Sequence, residues 1–253
     1  MKTAASRAAL AAPLFLAATL TFPQDGGFYL AAGTMATFAG PHDFQVGPKP
    51  ADDADFTVNS KSTGTFEVGI LGFRAAVGYS FFGFRPEAEI SYRQMGLSDF
   101  EYSSFSPDGG DLPDAALDVL NDSINVKAGR LILVGAMANL WLDIDTGGSP
   151  LMPFLGGGVG IGRITLDSRT HAMVSGVSVD QEFPESSAEA FAFQAGAGLG
   201  FDLGAGLALR LGYRLFGTTE AQLAWNAIDS DTDDILKAHI LLHNIDLGIS
   251  YRF

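Results

Sequence analysis

Period-two alternation runs through most of the chain, and it separates charge from apolar bulk so cleanly that the two faces of each segment need different surroundings. In the last segment Ile245, Leu247, Ile249, Tyr251 and Phe253 alternate with Asn244, Asp246, Gly248, Ser250 and Arg252. Leu207, Leu209, Leu211, Tyr213 and Leu215 alternate with Arg210, Gly212 and Arg214. Phe191, Phe193, Ala195, Ala197, Leu199 and Phe201 do so with Gln194, Gly196, Gly198, Gly200 and Asp202. Upstream, Leu71, Phe73, Ala75, Val77, Tyr79 and Phe81 oppose Arg74, Gly78 and Ser80, while Pro86, Ala88, Ile90 and Tyr92 oppose Arg85, Glu87, Glu89, Ser91 and Arg93. Successive side chains of a strand point to opposite sides, so each segment has one charge-free apolar face and one face of Arg, Glu, Asp and Gly.

Eight such segments lie near 27–39, 65–82, 84–96, 126–143, 151–166, 188–203, 206–217 and 240–253. Their connections alternate between short, glycine-containing turns (Gly83, the 143–150 stretch with Gly147-Gly148, and Gly204-Ala205-Gly206) and long ones at about 40–64, 97–125, 167–187 and 218–239. Short turns on one side and long loops on the other are the layout of an eight-stranded antiparallel up-and-down transmembrane β-barrel, with short periplasmic turns and four long extracellular loops. The charge-free face then meets lipid and the charged face lines the lumen. Phe28, Tyr79, Phe81, Phe84, Tyr92, Trp141, Phe201, Tyr213 and Tyr251 near strand ends suit interfacial girdles. A soluble sandwich or calyx also alternates; export and the chain end favour the membrane barrel.

Lys2 and Arg7 precede an uncharged apolar run from Ala8 to Phe22, the order of a secretory signal, so residues 1–22 are expected to be a signal peptide and 26–253 the barrel domain. The expected start of the mature chain falls between Ala18 and Gln24. Beyond that run no apolar stretch reaches the roughly 18 residues a spanning helix needs. The absence of cysteine excludes disulfides and thiol chemistry, and a net charge of −14 excludes nucleic acid as a partner.

Strand parity directs Arg74, Arg85, Arg93, Arg210, Arg214 and Arg252 inward with Glu87, Glu89, Asp202 and Asp246. An eight-stranded barrel is only wide enough for side chains to fill, so these charges are expected to pair into a network with Asn139, Gln194 and Asn244 completing its hydrogen bonds. Counting from the periplasmic turns puts Arg74, Glu89, Arg210 and Asp246 nearest mid-depth, as a plug that conducts poorly.

Asp246-Leu247-Gly248-Ile249-Ser250-Tyr251-Arg252-Phe253 resembles the C-terminal insertion signal of bacterial outer-membrane barrels, with Gly248, Tyr251 and Phe253 as its marked positions. The resemblance implies that the assembly machinery of that membrane reads the last strand by β-augmentation. Four further stretches resemble the small outer-membrane β-barrel superfamily, within it the alphaproteobacterial and rickettsial surface-antigen and opacity-protein branch. They are Gly78-Tyr79-Ser80-Phe81 running into Phe84-Arg85-Pro86-Glu87-Ala88-Glu89-Ile90-Ser91-Tyr92-Arg93; Pro153-Phe154-Leu155-Gly156-Gly157-Gly158-Val159-Gly160; Phe193-Gln194-Ala195-Gly196-Ala197-Gly198; and Leu211-Gly212-Tyr213-Arg214. The resemblance implies eight strands in the outer membrane among its lipids, exposed loops, and roles from antigen or adhesin to small porin.

The zones 40–64, 95–126, 167–189 and 218–240 hold 21 of the 29 acidic residues, against Lys49, Lys61, Arg169 and Lys237. Such loops suit solubility and repulsion, with divalent-cation bridging or capture of a basic partner, a host or matrix protein, as the sharper alternative. Asp229-Ser230-Asp231-Thr232-Asp233-Asp234 begins like a calcium loop, but Asp234 replaces the turn glycine and Ile240 the bidentate Glu, so no metal site is expected. Asp111 as N-cap and Pro113 predict a short helix whose Leu112, Ala116, Leu117 and Leu120 form an apolar stripe over the barrel mouth. None of His42, His171, His239 and His243 has the neighbours of a rim hydrolase, and the 156–162 glycine run lacks the Lys-Ser/Thr and helix of a phosphate loop. The sequence thus points to a non-enzymatic surface protein without a cofactor, antigen- or adhesin-like and structural in the envelope. A small porin is the first alternative and a lipid-modifying enzyme the second.

Overall fold

The computed structural model describes residues 26–48, 58–107, 110–174, 177–225 and 234–253; the expected signal segment and the calcium-like run lie outside them, Asp234 apart. In chain order the elements are β1 (Gly27–Ala39), β2 (His42–Pro48), β3 (Val58–Phe66), β4 (Gly69–Ser80), β5 (Phe84–Pro107), α1 (Asp114–Ser123), β6 (Ile124–Asp143), β7 (Leu151–Val174), β8 (Val177–Gly204), β9 (Leu207–Thr218), β10 (Ala221–Trp225), β11 (Asp234–Ala238) and β12 (Leu241–Arg252). Eight of the strands, β1, β4, β5, β6, β7, β8, β9 and β12, pair with their neighbours antiparallel, and β12 pairs back with β1. The ring is closed and leaves no free edge in the membrane. Two tight turns carry positive φ at both central residues, 47° and 80° at Phe82-Gly83 and 53° and 80° at Ala205-Gly206, the twist that joins adjacent strands of a hairpin.

The register also sets the tilt. Stepping from Thr37 to Asn244, Arg214, Gly196, Gly156, Trp141 and Arg85, and on through Ser80, arrives at Gly27, ten residues from the start on the same strand. With eight strands, a stagger of that size inclines them by about 40° and gives a backbone cylinder about 16 Å across, in which each residue climbs about 2.5 Å along the axis. Outward apolar side chains run from Phe28, Phe84 and Tyr251 at the turn end to Phe38, Ile70 and Phe191 at the other. At that climb the band is about 25 Å tall, the height a bilayer requires.

Among the described residues the long extracellular connections are mostly strand. β5, β6, β7 and β8 continue past the apolar band, and β3, β2, β11 and β10 add in that order to the outer half of β5. The wall therefore extends outward as a β-collar. Its interior, together with the upper lumen, is apolar: Phe44, Phe66, Met95, Leu131, Leu133, Ile164, Leu166, Leu223, Leu236 and Leu242 are buried in one cluster. A uniformly polar lumen does not describe this upper half. Once the wall stands in water, burying apolar side chains inside is favourable, as in any soluble barrel.

α1 forms where expected, but Asp111 does not cap it. The Pro113 carbonyl accepts the first helical bond, from Leu117 N at 3.1 Å, while Asp111 accepts from the Ser106 hydroxyl. Leu117 is buried and Asn121 bonds to the backbone of Tyr102 through both its oxygen and its nitrogen, at 2.9 and 3.0 Å. This pins the helix to the collar; burial there raises the pKa of the Tyr102 hydroxyl.

Candidate functional site

Inside the membrane-spanning half, five arginines (Arg74, Arg85, Arg93, Arg210 and Arg214) and four carboxylates (Glu87, Glu89, Asp143 and Asp246) are buried together. They form layers. At mid-depth Asp246 accepts from Arg74 Nη2 and Arg214 Nε, both at 3.0 Å, and Glu89 accepts from Arg214 Nη1 at 2.7 Å with Arg74 Nη1 3.9 Å away. These four side chains close the lumen as an alternating ring of two cations and two anions. Gly248 makes the ring possible: a Cβ there would lie 2.7 Å from Arg74 Nη2 and 2.9 Å from the Ala32 carbonyl.

Arg210, expected in this ring, sits lower. The stagger of about 1.25 residues per strand means that equal counts from the turns are not equal depths, and it raises Arg214, not Arg210, to the level of Asp246. Arg210 instead joins Arg85 on Asp143, with Arg210 Nη1 at 3.3 Å from Oδ1 and Arg85 Nε at 2.5 Å from Oδ2. This pair forms the periplasmic floor, beside a cavity of about 120 Å³ also lined by Tyr29, Ser250 and Arg252. Arg252 is only half-buried at the rim, and Asp202 faces solvent, where its Oδ1 accepts from Gly204 N at 2.8 Å and shapes the β8–β9 turn.

Between floor and ring Glu87 accepts from Tyr29 Oη at 2.8 Å and from both Asn139 Nδ2 and Trp141 Nε1 at 3.1 Å. Trp141 is therefore a lumen residue, 1% exposed, not part of a girdle. Its ring lies under the Arg214 guanidinium at 4.6 Å, and Gly156 on β7 leaves room for it, since a Cβ there would lie 2.8 Å from its Cε3. The 156–162 glycine run is thus strand interior packed against lumen side chains, not a loop. Gln194 Nε2 donates to Asn139 Oδ1 at 2.6 Å and to Glu89 Oε1 at 3.4 Å, which ties the layers together.

Arg93 is the fifth cation. It has no carboxylate within ion-pair distance among the described residues; it donates to Asn244 Oδ1 at 3.0 Å and Ser91 Oγ at 2.8 Å and lies 4.3 Å over the Phe216 ring. Strand parity alone locates Tyr29, Asp143, Trp141, Phe154 and Phe216 inside. Reading Asp143 as turn and Trp141 as girdle hides these two, since a position near a strand end does not say which face a side chain takes.

The histidines stand apart. His42 is buried, its Nδ1 2.6 Å from the Gly40 carbonyl and its Nε2 accepting from Leu241 N at 2.9 Å, an arrangement that clips β2 to the start of β12. His243 meets the Tyr213 hydroxyl on the outer face at 2.5 Å. His239 is exposed with Glu220 3.9 Å away, and the side chain of His171 lies outside the described set. Among the described residues no cluster of His, Asp and Glu has the grouping of a metal site. At the chain end Tyr251 projects into the apolar band with Phe253 edge-on at 5.1 Å, and Phe253 N donates to the Phe28 carbonyl at 2.9 Å.

The outer membrane protein OprG from Pseudomonas aeruginosa has a similar structure, with a TM-score of 0.54 at 12% identity over 91% of this chain and 97% of that one. Neisserial surface protein A aligns with a TM-score of 0.36 at 15% identity over 91% and 100%. The attachment invasion locus protein of Yersinia pestis aligns with 0.38 at 14% over 91% and 100%. At 12% identity the likeness to OprG concerns the fold alone. No curated protein matches the sequence at a significant level. The profile of the surface antigen family matches residues 32–249, nearly the whole barrel. An apolar band outside, paired charge inside and that match lead to one conclusion: the chain belongs to the surface antigen family, as a β-barrel of the bacterial outer membrane.

Proposed function

We propose that the protein is a non-enzymatic surface barrel, antigen- or adhesin-like, whose membrane half serves as a sealed stem and whose collar is the part shown to the outside. The observation that carries this reading is the ring of Arg74, Glu89, Arg214 and Asp246 across the lumen, with side-chain exposures of 0–4%. A barrel about 16 Å across, backbone to backbone, has no room for a solute path beside four such side chains. Above the ring come Arg93 and Asn244, bonded to each other, and beyond them the lumen is filled by apolar side chains. The acidic collar favours basic host or matrix proteins as partners. Gly248, Tyr251 and Phe253 are proposed as the signal read by the assembly machinery.

Reconstitution of the folded barrel into planar bilayers tests the sealed stem. Silence apart from rare, brief openings is the expected result; large, steady single-channel currents would replace this reading with the small porin. Unchanged lipid profiles in expressing cells are expected, and a new deacylated or acylated lipid species would point to the enzyme. Binding of the immobilised barrel to matrix proteins, weakened by salt, is expected of the adhesin-like role.

A further inference from the structure

We propose that the cavity at the periplasmic floor of the lumen is a binding site for a small tetrahedral oxyanion of the phosphate kind, held by Arg85 and Arg210. The two guanidiniums lie against the same Phe154 ring, at 5.8 and 5.5 Å from its centroid, and both line the cavity. Their side chains are only 5% and 9% exposed, so the cavity is what their remaining donors face. Arg85 directs Nε to Asp143 and donates from Nη1 to Tyr29 Oη at 3.4 Å. Arg210 donates from Nε to Ser250 Oγ at 3.2 Å and from Nη1 to Asp143. Nη2 of each arginine has no partner among the described residues. Unmet donors on a buried cation are costly, and one acceptor that reaches both relieves them together.

Charge, donor pattern and size select the ligand. One carboxylate, Asp143, serves two arginines, with both of its oxygens engaged. Glu87 lies 3.9 Å from Arg85 Nη1 and already accepts from Tyr29, Asn139 and Trp141. At the mouth Arg252 and Asp202 offset each other in charge. The inner wall is therefore a donor surface, to which the hydroxyls of Ser80 and Ser250 add. Ser250 Oγ accepts from Arg210, which leaves its own proton to donate. A cation finds no open carboxylate here, and an apolar guest finds charged walls. The volume of about 120 Å³ falls below the roughly 150 Å³ that admits benzene, so the guest has few heavy atoms. Arginine forks match the oxygens of phosphate. Entry is from the periplasm, past Asp202, Gly206 and Arg252, and the ring of Arg74, Glu89, Arg214 and Asp246 closes the lumen above. The site is a dead end, not a step along a pore.

Calorimetric titration of inorganic phosphate into the full barrel, folded in a non-ionic detergent at constant ionic strength, tests the site. Saturable one-to-one binding is expected for phosphate and none for chloride. Arg210→Lys keeps a cation beside Asp143 but loses the fork, and is expected to bind phosphate about tenfold more weakly, the loss of one charge-assisted bond. Ala208→Leu grows a side chain into the cavity and is expected to abolish binding. Glycerol 3-phosphate distinguishes the source of the oxyanion: affinity equal to that of phosphate assigns the site to the phosphoryl end of a larger molecule, and loss of binding assigns it to the free ion. Both results keep the site. Heats that do not saturate, equal heats for phosphate and chloride, or unchanged affinity in either folded variant would each overturn it. Heat-dependent gel mobility reports folding, and if Ala208→Leu does not fold, Arg210→Lys carries the test.

Discussion

Replacing Asp246 by leucine removes half the negative charge of the mid-depth ring. Arg74 Nη2 and Arg214 Nε each lose a charge-assisted bond of 3.0 Å, and only Glu89 remains to face two guanidiniums whose side chains are 2% and 4% exposed. Breaking a buried ion pair by removing one partner costs roughly 3–5 kcal/mol, because the stranded charge has no water to return to. Asp246→Leu should therefore destabilise the barrel by about that amount, visible as a lowered urea midpoint in detergent with Trp141 fluorescence as the probe. Glu89→Ala is expected to fall in the same range, since Glu89 also accepts at 2.7 Å from Arg214. Either substitution should raise the frequency of brief openings in planar bilayers. The decisive variant is the double, Asp246→Leu with Arg74→Met. It removes one charge of each sign and leaves Glu89 paired with Arg214, so the double should recover at least 1 kcal/mol relative to the sum of the singles, within the range of coupling between contacting residues. If Asp246→Leu unfolds at the wild-type midpoint, or the singles simply add, the ring is not an electrostatic unit and the reasoning fails.

Deleting Phe253 should leave export intact but lower the amount of inserted barrel, because its amide closes onto the Phe28 carbonyl and its ring packs on Tyr251; surface-exposed protein on intact cells is the measure. Gly248→Ala should cost about 1–3 kcal/mol through overpacking against Arg74, read as a lower melting temperature. Trp141→Phe keeps the packing but leaves Glu87 short of a donor, a loss of about 1.5–3 kcal/mol for a bond to a charged group, checked by equilibrium unfolding followed by circular dichroism.

Much of this architecture is legible in the sequence, for a definite reason. Where a wall separates lipid from a charged interior, parity alone decides which way Arg74, Glu89, Arg214 and Asp246 point, and parity is visible without any partner strand. Depth is not. It depends on stagger, which accumulates across eight pairings, so Arg210 and Arg214 cannot be ranked from their own segment. The collar is obscured for a different cause: above the membrane the apolar and polar faces exchange roles, and segments such as Val58–Phe66, with Ser60, Ser62 and Gly64 turned inward, no longer carry the apolar alternation of the stem. Acidic and polar composition there reads as loop, although it is strand in contact with water.

That exchange of roles along single strands has a consequence for how the barrel finds its pairing. In β7 the outward side chains change from Val159 and Ile161 to Arg163, while the inward ones change from glycine to Ile164 and Leu166. A slip of one residue is penalised in any such sheet because it turns every side chain over. A slip of two keeps the faces and would be nearly free in a uniform barrel. Here it is not free: it would draw Arg163 down into hydrocarbon, lift the partners of Glu89 and Asp246 out of their shared plane, and push apolar side chains into the charged layer. The vertical change of solvent thus acts as a ruler printed along the strands, and alignment is set by depth as well as by side.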